Sequence, residues 1–452
     1  MISRSIKTLL LALLTWSLAV IPGGAAEAPP SHLDLREALR LAYKANPTLQ
    51  ISRLQTLIAG EDVVRARSGF LPQVKAQVSQ TIYDDPLKIK IPTISPGVGG
   101  VTFPQSNRNF WSSQVTAEQT IFDFWLTPSK YEAAILGKKA TILDTAQTRD
   151  NIFLTVCQGY FRTLRAQKMV VVAEQSVFQL KDHLKIAKDQ YEFGVVTYND
   201  VLQAQVSLAD AEQNLIVART DVIDIRSALN KVLTLPISAP TVLKEEKIET
   251  KPWVLADATE AAIKSRSDLK ASQDRIGQQE KVITQTKAQY FPRIYAQGGH
   301  TFQQYDLLLH DNQWFAIFGL QWTLFSGLDT RAQVMQARTK LEQLKVQHQD
   351  LGEQVRLDVQ NAYLSVKDTA DRIRTTQTAV TQGEENLRLN EERYKEQVGT
   401  ATDVIDAQTL LTRTRVNYYN AVYDHQMAKA QLLWAMGAIN ELIPQEPSKN
   451  AP

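Results

Sequence analysis

The chain has 452 residues, with 50 basic and 48 acidic side chains for a net charge of +2, and 44% of its residues are apolar. That balance gives no reason to expect nucleic acid as a partner, and the apolar and aromatic content excludes a disordered chain. The length suits two or three ordinary domains or one elongated, duplicated unit.

In chain order, residues 1–26 read as a cleaved secretory signal. Arg4 and Lys7 precede the apolar run TLLLALLTWSLAVI, and GGAA places small residues before a cut after Ala26. The run is too short, and lacks the flank, for a membrane anchor. The only cysteine is Cys157, so no internal disulfide exists, and none follows the cut to carry a lipid. Cys157 lies in a helical pattern and reads as a small buried apolar residue. No other stretch has eighteen consecutive apolar residues, so a membrane-bound mature chain requires a closed β-barrel.

The rest predicts one unit written twice: residues 27–235, a linker at 236–256, residues 257–440, and a tail at 441–452. YEFGVVTYNDVLQAQVSL from Tyr191 matches YKEQVGTATDVIDAQTLL from Tyr394 at an offset of 203. SGFLPQVKAQ matches AQYFPRIYAQ at an offset of 220, pairing Pro72 with Pro292. The difference leaves about 17 extra residues in the first copy, in the Pro- and Gly-rich stretch DDPLKIKIPTISPGVGGVTFPQSN, which reads as a loop.

Each unit predicts helix, hairpin, long helix, turn and helix. The first helix runs from Leu35 to Arg67, and Pro72 marks where helix gives way to strand. Val74, Ala76 and Val78 alternate with Lys75, Gln77 and Ser79, and Val115 and Ala117 oppose Gln114, Thr116 and Glu118. Trp314, Ala316, Phe318, Leu320, Trp322 and Leu324 share one face. The strands are long enough to cross a membrane, and Trp111, Trp125, Trp314 and Trp322 lie near their ends. A soluble hairpin with one buried face is the other reading of the same pattern.

Pro128 to Tyr191 predicts a helix of roughly 95 Å, twice the roughly 50 Å of the returning helix from Asp200 to Val232. Leu255 to Gln289 adds another short helix to that one, and the second copy repeats the arithmetic with Leu328–Tyr394 and Asp403–Met436, the N-terminal helix Leu35 to Arg67 supplying its missing upper piece. Short helices stacked end to end therefore match each long one. After Asp200, Val201, Ala204, Leu208, Ala211, Leu215, Ala218, Val222, Ile225 and Leu229 follow 3,4 spacing, a coiled-coil seam. The second copy repeats it from Val404 and Ala407 to Ala428 and Leu432.

The duplicated Tyr-x-x-Gly-x-x-Thr…Asp-Val-Leu-x-Ala-Gln pattern, with proline at the helix–strand junctions, resembles the TolC family of outer-membrane efflux proteins over about residues 34–440. The resemblance implies a homotrimer in which each chain gives four strands to a twelve-stranded outer-membrane β-barrel, above a long coiled-coil α-helical barrel in the periplasm. It implies an exit duct of a tripartite export system for small toxic compounds, with a periplasmic adaptor and an inner-membrane pump, proton-driven or ATP-driven, as partners. Protein secretion through the same duct is the alternative, and a periplasmic coiled-coil adaptor is a third reading from another class.

The helix turns then fall at the periplasmic entrance. Asp200 and Asp403 each follow a Thr by three residues, so helix capping explains both. Asp406 lies one turn past Asp403, with Gln203 as its counterpart, and capping does not explain it. In the family, acids at these second-copy positions project into the closed entrance, and threefold symmetry makes them carboxylate rings that attract cations. Tyr394 resembles a position that helps latch neighbouring helices, although the glycine expected after it has moved to Gly399. Gly194, Val195, Val196 and Thr197, with Val398, Gly399 and Thr400, are the expected adaptor-docking turns. No metal-ligand spacing, phosphate loop or nucleophile elbow occurs, so neither an enzyme nor a cofactor is expected.

Overall fold

The computed structural model describes residues 32–443 apart from 87, 93–99, 105, 250 and 305–309. The expected signal, nearly all of the tail and most of the GVGG stretch lie outside the described residues.

The expected first helix is two: α1 (Leu35–Ala45) and α2 (Pro47–Arg67). Asn46 between them has φ −61° and ψ 123°, since a residue before proline is pushed out of the helical region. Its side-chain oxygen then accepts from the Thr48 N–H at 3.0 Å and caps the next helix. There follow β1 (Gln73–Ile82), β2 (Lys88–Ile91), β3 (Val101–Pro104), β4 (Asn109–Phe122), α3 (Leu126–Glu192) and α4 (Tyr198–Leu233). The second copy has α5 (Leu255–Ser265), α6 (Ser267–Ala288), β5 (Arg293–Gln303), β6 (Asn312–Gln321), α7 (Asp329–Lys395) and α8 (Ala401–Ala435). The stretch read as plain loop thus holds a short hairpin. Its composition hid a period of two, in which Ile89 pairs with Phe103 and Ile91 with Val101 on one face.

α3 and α7 have 67 residues each, about 100 Å of helix. α3 packs against α4 and α8 along one half and against α2 and α6 along the other, and α7 packs against α8 and α6. Pairs of short helices therefore run beside each long one, as the lengths predict, but the end-to-end partners are exchanged: Asn46 below α2 bonds to Val232 at the end of α4, and Arg266 below α6 meets Gly437 after α8. Every seam position of α4 named above is buried or half-buried.

Both long helices start from the same device. Phe124 and Trp125 before α3, and Gly327 and Leu328 before α7, all have positive φ. Asp123 accepts from the Thr127 N–H at 2.9 Å, and Ser326 accepts from the Thr330 N–H at 3.4 Å. These positions correspond at the offset of 203.

The main core lies at mid-height, where α1, α3, α4 and α8 meet the linker after α4. Leu33 pairs with Leu243, and the buried Tyr160 hydroxyl donates to the Leu33 and Lys244 carbonyls, tying the linker to α3. Cys157 is wholly buried beside it. A smaller core joins α5, α7 and the end of α8 around Val355, Val359 and Met436.

The strands form one antiparallel sheet in the order β1-β4-β5-β6. The register sets Val74 against Ala117, Ala117 against Gly298, and Gly298 against Ala316, so one face carries Val74, Val78, Val115, Phe318 and Leu320. The other carries Lys75, Gln77, Gln114, Thr116, Gln297 and Thr301, with Ser79 and Ser112 hydrogen-bonded at 2.8 Å and Arg293 paired to Glu118 at 3.1 Å. Aromatic side chains gather where strands become helices: Phe124 stacks on Phe291 at 4.8 Å, and Phe122 meets Trp125 at 5.6 Å. β1 and β6 are open edges. Among the described residues no helix is long and apolar enough to cross a membrane.

Candidate functional site

The turns α3–α4 and α7–α8 lie side by side at the end of the helices farthest from the sheet. Each long helix ends with the same hydrogen bonds. The Gly194 N–H donates to the Tyr191 carbonyl at 2.9 Å, and the Val195 N–H to the Gln190 carbonyl at 2.9 Å. In the second turn the Gln397 N–H donates to Tyr394 at 3.1 Å and the Val398 N–H to Arg393 at 2.9 Å. This pattern needs a left-handed residue. Gly194 supplies it with φ 72° and Gln397 with φ 64°. The glycine shifted to Gly399 is therefore not the turn residue, and a glutamine takes the strained position.

Asp200 and Asp403 start the returning helices as capping boxes. The Thr197 and Thr400 N–H groups donate to their carboxylates at 2.9 and 3.0 Å, and the two threonine hydroxyls at 2.8 Å. The Thr400 N–H, then its hydroxyl, then the charge of Arg393 hold Asp403 below the usual carboxylate range. Asp406 is exposed one turn further along α8, and among the described residues no hydrogen bond or ion pair engages its side chain. Val195, Thr197, Val398 and Thr400 are exposed, and Val196 and Gly399 half-exposed.

The two hairpins meet at several points. Thr402 Oγ1 donates to Gln203 Oε1 at 3.3 Å, and Arg415 bridges Gln175 at 3.0 Å and Glu384 at 2.8 Å. Leu387, Tyr394, Ala401, Val404, Ala407 and Leu411 form an apolar cluster, with Ile186 and Val196 of the first hairpin against it. Tyr394 is only 3% exposed, and its hydroxyl has no hydrogen-bond partner. Burial first, and the Asp200 charge second, push its phenol up. Asp200 and Tyr394 thus come near each other without bonding.

Four features escaped the sequence reading. Phe193, beside the turn glycine, is 85% exposed. It leads an apolar patch with Val195 and the contacting rings of Tyr191 and Tyr198, 5.5 Å apart. His183, 6% exposed, packs its ring on Tyr394 at 5.2 Å. Its place on the Val177–Leu180–Ala187 stripe of α3 was the available signal. Gln408, 4% exposed, has an unpartnered side-chain oxygen. Finally, a groove of about 620 Å³ runs between α3, α4 and α8, lined by Val172, Leu180, Val206, Ala211, Ile405 and Val416 among others. Among the described residues no three His, Cys, Asp or Glu side chains stand together as a metal site.

Known proteins share this design. The chain is 26% identical to Outer membrane protein TolC of Escherichia coli (strain K12) over 435 residues, covering 90% of this chain and 83% of that protein. It is 22% identical over 344 residues to the alkaline protease secretion protein AprF of Pseudomonas aeruginosa, covering 73% and 70%. The crystal structure of CusC superposes with a TM-score of 0.78 at 15% identity, over 93% of this chain and 95% of that one. Residues 38–234 and 258–438 match the family described as Outer membrane efflux protein, and the chain belongs to that family.

Proposed function

We propose that three copies of this chain form one duct through the outer membrane and into the periplasm, the exit channel of a tripartite export system for small toxic compounds. The observation that carries this is the sheet. It has four strands, two open edges, one apolar face and one polar face. Four strands are too few to close, and lipid does not tolerate open edges. Three copies give twelve strands, with the apolar face to lipid and the polar face to water. The aromatic belt at the strand–helix junction then sits at the periplasmic interface. Exposed Ile51, Leu54 and Leu57 on α2, and Ile216 and Val217 on α4, are surfaces that neighbouring copies cover.

The two repeats, 27–235 and 257–440, each contribute one tip turn, so six turns ring the periplasmic entrance. Asp403 and Asp406 line it as carboxylate rings, with Asp200 and the buried Tyr394 behind them. The periplasmic adaptor docks on the turns, Gly194 to Thr197 and Val398 to Thr400, with Phe193 as its apolar anchor and the groove between α4 and α8 as its track. The inner-membrane pump supplies the energy. Protein secretion is a second reading, supported by the likeness to a secretion protein. The chemistry of the pump that crosslinks to the assembled channel separates the two. The adaptor reading fits poorly, because its hairpin would not need a membrane-type sheet.

Light scattering of the detergent-purified mature protein tests the duct. A mass of three chains is expected, and a carbonate-soluble monomer overturns it. In planar bilayers, Asp403→Asn with Asp406→Asn should reduce cation preference. Unchanged selectivity removes both residues from the entrance.

A further inference from the structure

His183 and Tyr394 occupy the contact between the two hairpins, one on α3 and the other on α7. Both side chains are more than nine-tenths buried, their rings are 5.2 Å apart, and His183 Nε2 and the Tyr394 hydroxyl each lack a hydrogen-bond partner. Gln190, two turns along α3, reaches the Tyr394 carbonyl at 3.5 Å with its amide nitrogen and leaves its side-chain oxygen unpartnered. Buried polar atoms normally find partners. Unpartnered polar atoms on packed side chains therefore form a weak point in an otherwise apolar joint of Leu387, Val404, Leu411 and Ile186.

We propose that this joint is a proton-sensitive latch: uptake of a proton by His183 loosens α7 from α3 and opens the periplasmic end of the duct. A neutral imidazole tolerates apolar packing, whereas an imidazolium needs water or an acceptor anion. No acid supplies that acceptor. The charged groups around it include Asp182 and Lys185 on α3, Asp200, Asp210 and Glu212 on α4, Glu391 and Lys395 on α7 and Asp406 on α8, all exposed or half-exposed. Glu212 is taken up by Lys181 at 3.1 Å, and none bonds to His183. Burial lowers the His183 pKa in the joined state. The joined state is therefore favoured above the ordinary histidine value of about 6.5 and loses ground as pH falls toward the depressed value. The sign is fixed: acid opens.

The proposal rests on the duct reading, and single-channel recording of the full trimer at pH 7.5 and 5.5 separates the two. Open probability of the native protein should rise by about tenfold per protonated joint over this range. His183→Gln, which keeps polarity without titrating, should abolish the rise and leave conductance at pH 7.5 unchanged. His183→Phe, which suits the apolar packing, should do the same and guards against a folding defect in the first variant. An acid response that persists in either variant, or is missing from the native channel, overturns the latch and leaves the duct standing. Absence of any conductance overturns both.

Discussion

At Asn46 the chain leaves the helix with φ −61° and ψ 123°, and at Arg266, 220 residues later, it does so with φ −58° and ψ 125°. The first break has Pro47 behind it. The second has Ser267, and nothing local forbids a continuous helix there. What surrounds Arg266 does. The residue is 4% exposed, and its guanidinium donates to Asp268 at 2.6 Å and Asp358 at 2.9 Å, with Trp434 stacked at 4.8 Å. Burial opposes its charge, and the two carboxylates outweigh that and raise its pKa. Gly437 approaches so closely that a Cβ there would lie 3.2 Å from the Arg266 nitrogen. In the first copy Asn46 reaches only one distant group, donating to the Val232 carbonyl at 2.9 Å while its oxygen caps the next helix, and Thr234 stands where Gly437 does. One bend is a property of the chain, and its twin is a property of the packing.

This difference can be broken experimentally, starting where most is at stake. Arg266→Met should strand two largely buried carboxylates and cost about 3 kcal/mol, read as a lowered thermal midpoint of the trimer in detergent. Asn46→Ala removes a cap while Pro47 keeps the bend, so about 1 kcal/mol is expected in the same assay. Equal losses at the two sites would contradict the distinction. The tip turns carry a smaller version of it. Gln397→Gly relieves left-handed strain and should slow hydrogen exchange at the second turn by about 0.5 kcal/mol, while Gly194→Ala should speed exchange at the first.

Asp403→Asn gives the smallest effect and a test of sign. Its pKa is depressed in the folded tip, so its capping contribution is present above about pH 4, the unfolded carboxylate range, and disappears as pH falls through the depressed value. The mutant should differ from the native tip in exchange at pH 7 and converge with it in acid. A difference that grows in acid would contradict the cap.

Much of the architecture was legible from residues alone because it depends on short-range rules. Period-two alternation assigned the faces of β1, β4 and β6, Thr-x-x-Asp located both caps, and 3,4 spacing drew the α4 seam. The β2–β3 hairpin was missed because Pro and Gly dominated the composition around its two short strands. At the candidate site, the exposed acids and turns were readable from their local pattern. His183 was not, because its meaning depends on Tyr394, 211 residues away.

Period, capping and proline act between near neighbours, and they alone set the duplication, the lengths of the long and short helices and the two-faced strands. The bend at Arg266, the glutamine in the left-handed turn and the unpaired His183–Tyr394 contact come instead from the folded packing. Each of these is locally unfavourable and persists because packing from distant segments outweighs the local cost.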